Sequence, residues 1–450
     1  MEEINIEKEE VAKETTEEIT PSDLFEINLD KFLNELSALN DTLPTQMMLL
    51  DLKQDQLFKQ LEKIAVIKED VNEVGKPIIR YQVTDDGLDK FPKIHKHLKR
   101  TEIAQKILPR NFIVSIISQY DAFLGETVRV LYDINPNLIR SSEKEIQIED
   151  LFKYESIDEL KYHIVDKEVD SLLREEHLEQ FKVLERRITK VFDKEFTLTK
   201  GLPVLKEFIE LTQRRNLFVH TNGLTTRQYV EIKKKWKFKT ECDSSLNQEL
   251  LANAEYCNRA YEILYEIAVK LTHVLWRKFL PDFIEQADTN LNQTLFDLLN
   301  DNKYQLAVTI ANFGTDVIKH YSSEQVRKFI IINKAIAYKM IDEEEECQNV
   351  IQKEDWSIGN EFKLAKAVLE NDYETAKKIM LKVGPEDELI SKKAYKEWPL
   401  FKKFRKTDEF KNTFFELFNE KFSLEEIQDK ENVEKSKNRQ PENEDEDEEK

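Results

Sequence analysis

The sequence predicts an almost entirely α-helical protein, and three observations carry that prediction. Glycine supplies 8 of 450 residues, far below an average share of about 7%, which argues against turn-rich all-β folds. Charged residues make up 35% of the chain, many in mixed-sign patterns interleaved with apolar residues at helical spacing. The glycines, at positions 75, 87, 125, 201, 223, 314, 359 and 384, are too dispersed for a GxGxxG or GxxxxGK loop. That argues against Rossmann-type and P-loop phosphate binding. A chain of this length has room for two or three domains and a sizeable core.

Taken in order, residues 1–21 are polar and acidic and read as a disordered tail. An N-terminal helical region, 22–104, follows, with Leu33, Leu36 and Leu39, then Leu57, Leu61 and Ile64, at helical intervals. Pro44 is expected to divide it into two helices. Pro77–Val83 is the one segment that looks extended; Asp85-Asp86-Gly87 then turns into a basic stretch, Lys90–Lys106. A helical unit is expected from Pro109, its first helix marked by Phe112, Ile116, Tyr120, Phe123 and Val130. A polar, acidic excursion spans Ser141 to about Asp170. Helices resume over Leu172–Val191, over an amphipathic run from Pro203 to His220, and over Leu246–Phe279, giving four main helices.

Past Pro281 the pattern becomes one of short hairpins. Asn300–Ala307 and Glu370–Ala376 share a polar turn, a tyrosine, and an alanine three residues on. Asn333–Tyr338, an acidic turn and Cys347 read as a further unit between them. Small residues at 307, 347 and 376 are unequally spaced, so the array is irregular. It resembles tetratricopeptide-type (TPR-like) repeats over 285–425, with Trp398-Pro399-Leu400-Phe401, Phe404 and Phe410 as a terminal cap. A concave surface for a protein partner is what such repeats imply. Residues 430–450 are acidic and disordered by composition.

The chemistry concentrates in Arg215-Asn216-Leu217-Phe218-Val219-His220, followed by Thr221-Asn222-Gly223. On a helix, Asn216 and His220 lie one turn apart on one face with Arg215 beside them. Asn222-Gly223 supplies the left-handed residues that end a helix. A titratable imidazole and a fixed cation at a helix C-terminus suit proton transfer at oxygens beside a phosphate.

Together, the four-helix unit over 105–280 and this Arg-Asn-x₃-His motif resemble HEPN domains, and Ser115–Leu124 looks like their opening helix. The resemblance implies a metal-independent endoribonuclease whose site forms across a homodimer, with Arg215, Asn216 and His220 catalytic, no cofactor, and products ending in a 2′,3′-cyclic phosphate and a 5′-hydroxyl. It also implies a toxin-like or phage-defence role. A departure is Asn222, which stands where the subgroup paired with nucleotidyltransferase antitoxins carries a tyrosine. A catalytically silent scaffold that dimerises and binds proteins through its repeats is the alternative, and nucleotide binding without cleavage a third reading.

Arg214, Arg227, Lys233, Lys234, Lys235, Trp236 and Lys237 are candidate RNA contacts: lysines can follow phosphates while an aromatic stacks on a base. A solvated helix with Trp236 and Phe238 in the core is the equal alternative. The net charge of −21 argues against general nucleic-acid affinity, which gives a local basic patch more meaning. Asp121 is read as an ordinary exposed helix acid in preference to a support for Arg215. His95-Lys96-His97 forms no metal set. Cys242, Cys257 and Cys347 suit a reducing cytoplasm. No signal peptide or membrane span is expected.

Overall fold

Thr20 opens the first helix of the computed structural model through a capping box. Its hydroxyl accepts from the Asp23 amide at 3.2 Å, while Asp23 Oδ2 accepts from the Thr20 amide at 2.8 Å. The structure describes residues 19–71, 77–140, 154–238, 240 and 245–423; the tails at 1–18 and 424–450 lie outside them. Among the described residues the protein is mostly helical, with one two-stranded ribbon.

Helix α1, Pro21–Glu62, runs straight through Pro44. The expected division is therefore absent. A proline inside a helix costs about 3 kcal/mol, but Phe25, Leu29, Phe32, Leu33 and Leu36 before it and Leu43 and Leu61 after it are all buried. Tertiary packing of the apolar face outweighs the missing N–H. The same holds for α2, Phe91–Ile134, which continues through a buried Pro109 instead of starting there.

Strand β1, Ala65–Val71, pairs antiparallel with β2, Pro77–Val83, from Ala65↔Val83 to Val71↔Pro77. The second strand follows the sequence reading. The first was not foreseen, because its charged residues follow one another without a two-residue period. Leu61, Ala65 and Leu98 form a small core at its base, with Ile67, Tyr81 and Val83 packed against it.

The chain divides into two compact units, 1–287 and 288–450. In the first, α1 and α2 pack on each other and are followed by α3 (Asn137–Arg140), α4 (Ile157–Leu173), α5 (His177–Phe192), α6 (Leu205–His220), α7 (Arg227–Trp236) and α8 (Ala254–Phe279). Part of the expected polar excursion is thus helical, and its residues 141–153 lie outside the described set. The expected helix over Leu172–Val191 is interrupted at 174–176. The expected helix from Leu246 starts at Ala254, where the Asn253 side chain accepts from the Tyr256 amide at 2.8 Å. Aromatic contacts lock α1, α2, α5, α6 and α8 together: Phe25 stacks on Trp276 at 5.8 Å, Phe32 on Phe123 at 4.8 Å, and Phe208 meets Tyr120 and Phe181 at 5.4 and 5.7 Å.

Helix α9, Ile284–Asn300, crosses the division. The second unit continues with α10 (Tyr304–Asn312), α11 (Glu324–Met340), α12 (Glu344–Gln352), α13 (Asn360–Leu369), α14 (Tyr373–Val383), α15 (Lys392–Glu397) and α16 (Asp408–Phe418). Three interhelical turns have one construction. Asn302, Asp342 and Asn371 are left-handed, with φ of 58°, 62° and 58°. The next amide in each closes on the carbonyl five residues back: Lys303 on Leu298 at 2.8 Å, Glu343 on Tyr338 at 3.0 Å, Asp372 on Ala367 at 2.9 Å. Each turn then leads to a fully buried small residue, Ala307, Cys347 or Ala376. The residues singled out in the sequence are therefore equivalent in place, at unequal intervals. Buried Lys339, on α11, donates to the Leu369 carbonyl at 2.5 Å and to Asn371 Oδ1 at 2.7 Å, capping the end of α13. Trp398, Phe401, Phe404 and Phe410 are buried at the end of the unit.

Candidate functional site

Helix α6 carries Arg215, Asn216 and His220 on its last turns, and the turn after it fixes where they end. Asn222 and Gly223 are left-handed, with φ of 52° and 85°, as their residue types anticipate. The amides of Thr221 and Gly223 both close on the Leu217 carbonyl, at 2.9 and 3.0 Å. A buried Arg110 from α2 donates from Nη1 to the Asn222 carbonyl at 3.0 Å and pairs through Nη2 with Glu249. His220 is the last helical residue and is exposed, at the end of the helix where the backbone dipole favours a cation.

Arg215 is partly covered, its side chain 24% exposed. Nη2 lies 3.4 Å from Asp121 Oδ2 and Nη1 donates to Asn216 Oδ1 at 3.2 Å. Its Nε is buried without a hydrogen-bond partner among the described residues. The other Asp121 oxygen meets His177 Nε2 at 2.9 Å. Asp121 is thus a half-buried member of the cluster, correcting its reading as an ordinary surface acid. His177, first residue of α5, was missed altogether. No spacing in the sequence signals either residue: the Tyr120 ring, next to Asp121, meets those of Phe208 and His177 at 5.4 and 6.2 Å only in the folded chain.

Arg214 cannot touch RNA here. Its side chain is 2% exposed, with Nε 2.7 Å from Glu210 Oε1, Nη1 donating to the Leu251 carbonyl at 2.8 Å, and its guanidinium 4.0 Å from the Tyr256 ring. Glu210 also accepts from the Tyr229 and Tyr256 hydroxyls, at 2.9 and 2.8 Å. Burial, then the Glu210 charge, pushes both phenols above their usual range and keeps them neutral donors. A buried cation needs such a full set of partners, so this arginine is part of the core.

The basic stretch is divided between surface and core. Arg227, Lys234, Lys235 and Lys237 are exposed, and Lys233 donates to Thr240 Oγ1 at 2.6 Å. Phe238 is buried with Tyr229, Ile209, Leu217 and Leu250, and Trp236 packs against that cluster while half exposed. Trp236 and Lys235 also line a cavity that His177 shares. Among the described residues, no three His, Cys, Asp or Glu side chains gather as a metal set, and no helix is long and apolar enough to cross a membrane. In the second unit, a groove of about 440 Å³ is bordered by Asn292, Phe296, Phe329, Asn333, Lys393 and Trp398.

What the cluster offers chemically is a guanidinium held in place by a carboxylate and an amide, beside a helix end bearing a solvent-accessible imidazole. No protein-family model, curated protein or solved structure matches this chain.

Proposed function

We propose that the protein is a metal-independent endoribonuclease of the HEPN type, acting as a homodimer. The observation that carries this reading is the Arg215–Asp121 contact, with Asn216 on the other side of the guanidinium and exposed His220 at the same helix end. RNA supplies its own nucleophile, the 2′-hydroxyl. His220 of one copy takes that proton as the 2′-oxygen bonds to phosphorus; His220 of the second copy, protonated, gives a proton to the 5′-oxygen as the P–O5′ bond breaks. Arg215 holds the non-bridging oxygens as their charge grows, and Asp121 fixes its direction. A twofold dimer brings two copies of one patch together, as this division of labour needs. Exposed Arg227, Lys234, Lys235 and Lys237 hold the RNA backbone. The helical hairpins of the second unit, read as TPR-like, take a protein partner, and a toxin-like or defence role follows from the family resemblance.

A second reading has its own observation. Asp121 already meets the Arg215 charge, as in a structural ion pair, which favours a catalytically silent dimerising scaffold.

Purified protein incubated with RNA in EDTA decides between them. Cleavage that leaves a 2′,3′-cyclic phosphate, lost in His220→Ala with an unchanged circular dichroism spectrum, is the expected result. No cleavage by wild type, with or without the second unit deleted, removes the nuclease reading.

A further inference from the structure

Behind the Asp121 pair lies a cavity of about 200 Å³ bounded by α5, α6 and α7. Its size falls below the roughly 300–1,000 Å³ of sites for drug-sized ligands, so it suits a single ring system. Ile209 and Ile232 give it apolar lining and Trp236 an aromatic one. Its charged rim is balanced: Lys182 and Lys235 against Glu176 and Glu179, with Glu179 held by Arg186 at 2.8 Å. A balanced rim around an apolar and aromatic lining favours a neutral planar group over an anion.

One lining residue points to a ligand. Gln213 is 8% exposed, and among the described residues none hydrogen-bonds its side-chain amide. Its amide atoms are not among the fully buried atoms left unpaired, so they keep accessible surface. They offer a donor and an acceptor side by side, the pattern that matches the N6 and N7 edge of adenine. His177 joins the cavity to the motif: its ring lines the cavity while Nε2 meets Asp121 at 2.9 Å, and Asp121 meets Arg215 at 3.4 Å.

We propose that this cavity takes an adenine base of the RNA, stacked on Trp236 and read by the Gln213 amide, so that the attached phosphate falls to Arg215. The proposal rests on the nuclease reading for its biological use but not for its binding chemistry. The base leaves the RNA stack to enter, as bases do at single-stranded sites. Stacking on an aromatic ring tolerates any base; the amide supplies the choice.

The test measures binding apart from cleavage. Quenching of tryptophan fluorescence is followed with adenosine, cytidine, guanosine and uridine 3′-monophosphates, in wild type and in Gln213→Leu, His220→Ala and Trp236→Phe. A uridine oligomer carrying one adenosine, with a 2′-deoxy sugar at that position to prevent cleavage, is the second probe. Expected is quenching by the adenosine monophosphate and by the oligomer, at least tenfold stronger than by the other nucleotides. His220→Ala should keep it, Gln213→Leu should weaken it roughly tenfold, and Trp236→Phe should lose the signal. Quenching by no nucleotide, or equal adenosine binding by Gln213→Leu, overturns the proposal. Quenching by the free nucleotide without the oligomer overturns its assignment to RNA. RNA left uncut by a protein that still binds adenosine removes the nuclease and leaves the cavity site; cutting without adenosine preference does the reverse.

Discussion

Asp121 Oδ2 stands 3.4 Å from Arg215 Nη2, joining the first long helix after the ribbon to the motif helix. Because its second oxygen is engaged by His177, the carboxylate is fixed from two sides and its direction is transmitted to the guanidinium.

Replacing Asp121 with Asn keeps the size and one acceptor but removes the charge and the second acceptor. We expect RNA cleavage to fall by up to about 10²-fold, the scale of a small misplacement of a reacting group. Since both partners are partly exposed, the thermal midpoint should move by a few degrees at most. Cleavage at the wild-type rate in Asp121→Asn shows that Arg215 is positioned without it.

Arg214 yields the opposite pattern. Arg214→Ala strands Glu210 in the core and should cost roughly 3–5 kcal/mol, read as a loss in urea midpoint. The double variant Arg214→Met/Glu210→Leu should regain part of that loss: no unpaired charge remains, but the Tyr229 and Tyr256 hydroxyls lose their acceptor. RNA affinity per folded molecule should stay unchanged in the double variant, which is checked by a salt-dependence of binding equal to wild type.

Gly223 cannot be replaced without strain. Its φ is 85°, and a Cβ there would stand 3.2 Å from the Leu250 carbonyl oxygen. Gly223→Ala should lose about 1–2 kcal/mol, whereas Asn222→Gly, in the adjacent left-handed position, gives up only the Arg110 contact to its Oδ1 at 3.2 Å and should lose less in denaturant unfolding.

Alkaline pH should destabilise the fold. Burial pushes the Cys257 thiol from 9.0 up to about 12 and Cys347 to about 11, and burial likewise raises Tyr132 from 10.0 to about 12. A group whose folded pKa is raised contributes stability that is complete below its unfolded pKa; here it drains away as the unfolded chain deprotonates first, between about pH 9 and 12. The thermal midpoint should drop across that window, with a shallower slope in Cys257→Ala. At pH 8, iodoacetamide should leave Cys257 and Cys347 unmodified in native protein and label both in urea, as checked by mass spectrometry.

Much of the fold could be read from residue spacing, and its failures have common causes. The helix ends at Asn222-Gly223 and the turns at Asn302 and Asn371 were visible because left-handed positions demand a few residue types. The proline positions misled: Pro44 and Pro109 break helices only where packing does not hold both sides. The same blindness to long-range packing hid the core role of Arg214 and the Asp121–His177 contact, whose partners lie 56 residues apart. Arg215, Asn216 and His220 stood out because they are close in sequence. The residues that orient them did not, because only the folded chain brings those together.

Lys339 has a consequence for how the second unit comes apart. Hairpins that merely stack can peel away one by one from an end, each step exposing a little surface. Here an ammonium rooted in α11 supplies the hydrogen bonds for the last carbonyls of α13, two helices further along. Peeling off the later hairpin would break those hydrogen bonds, and losing the earlier one would uncap the later, so the helices between Glu324 and Val383 should melt together.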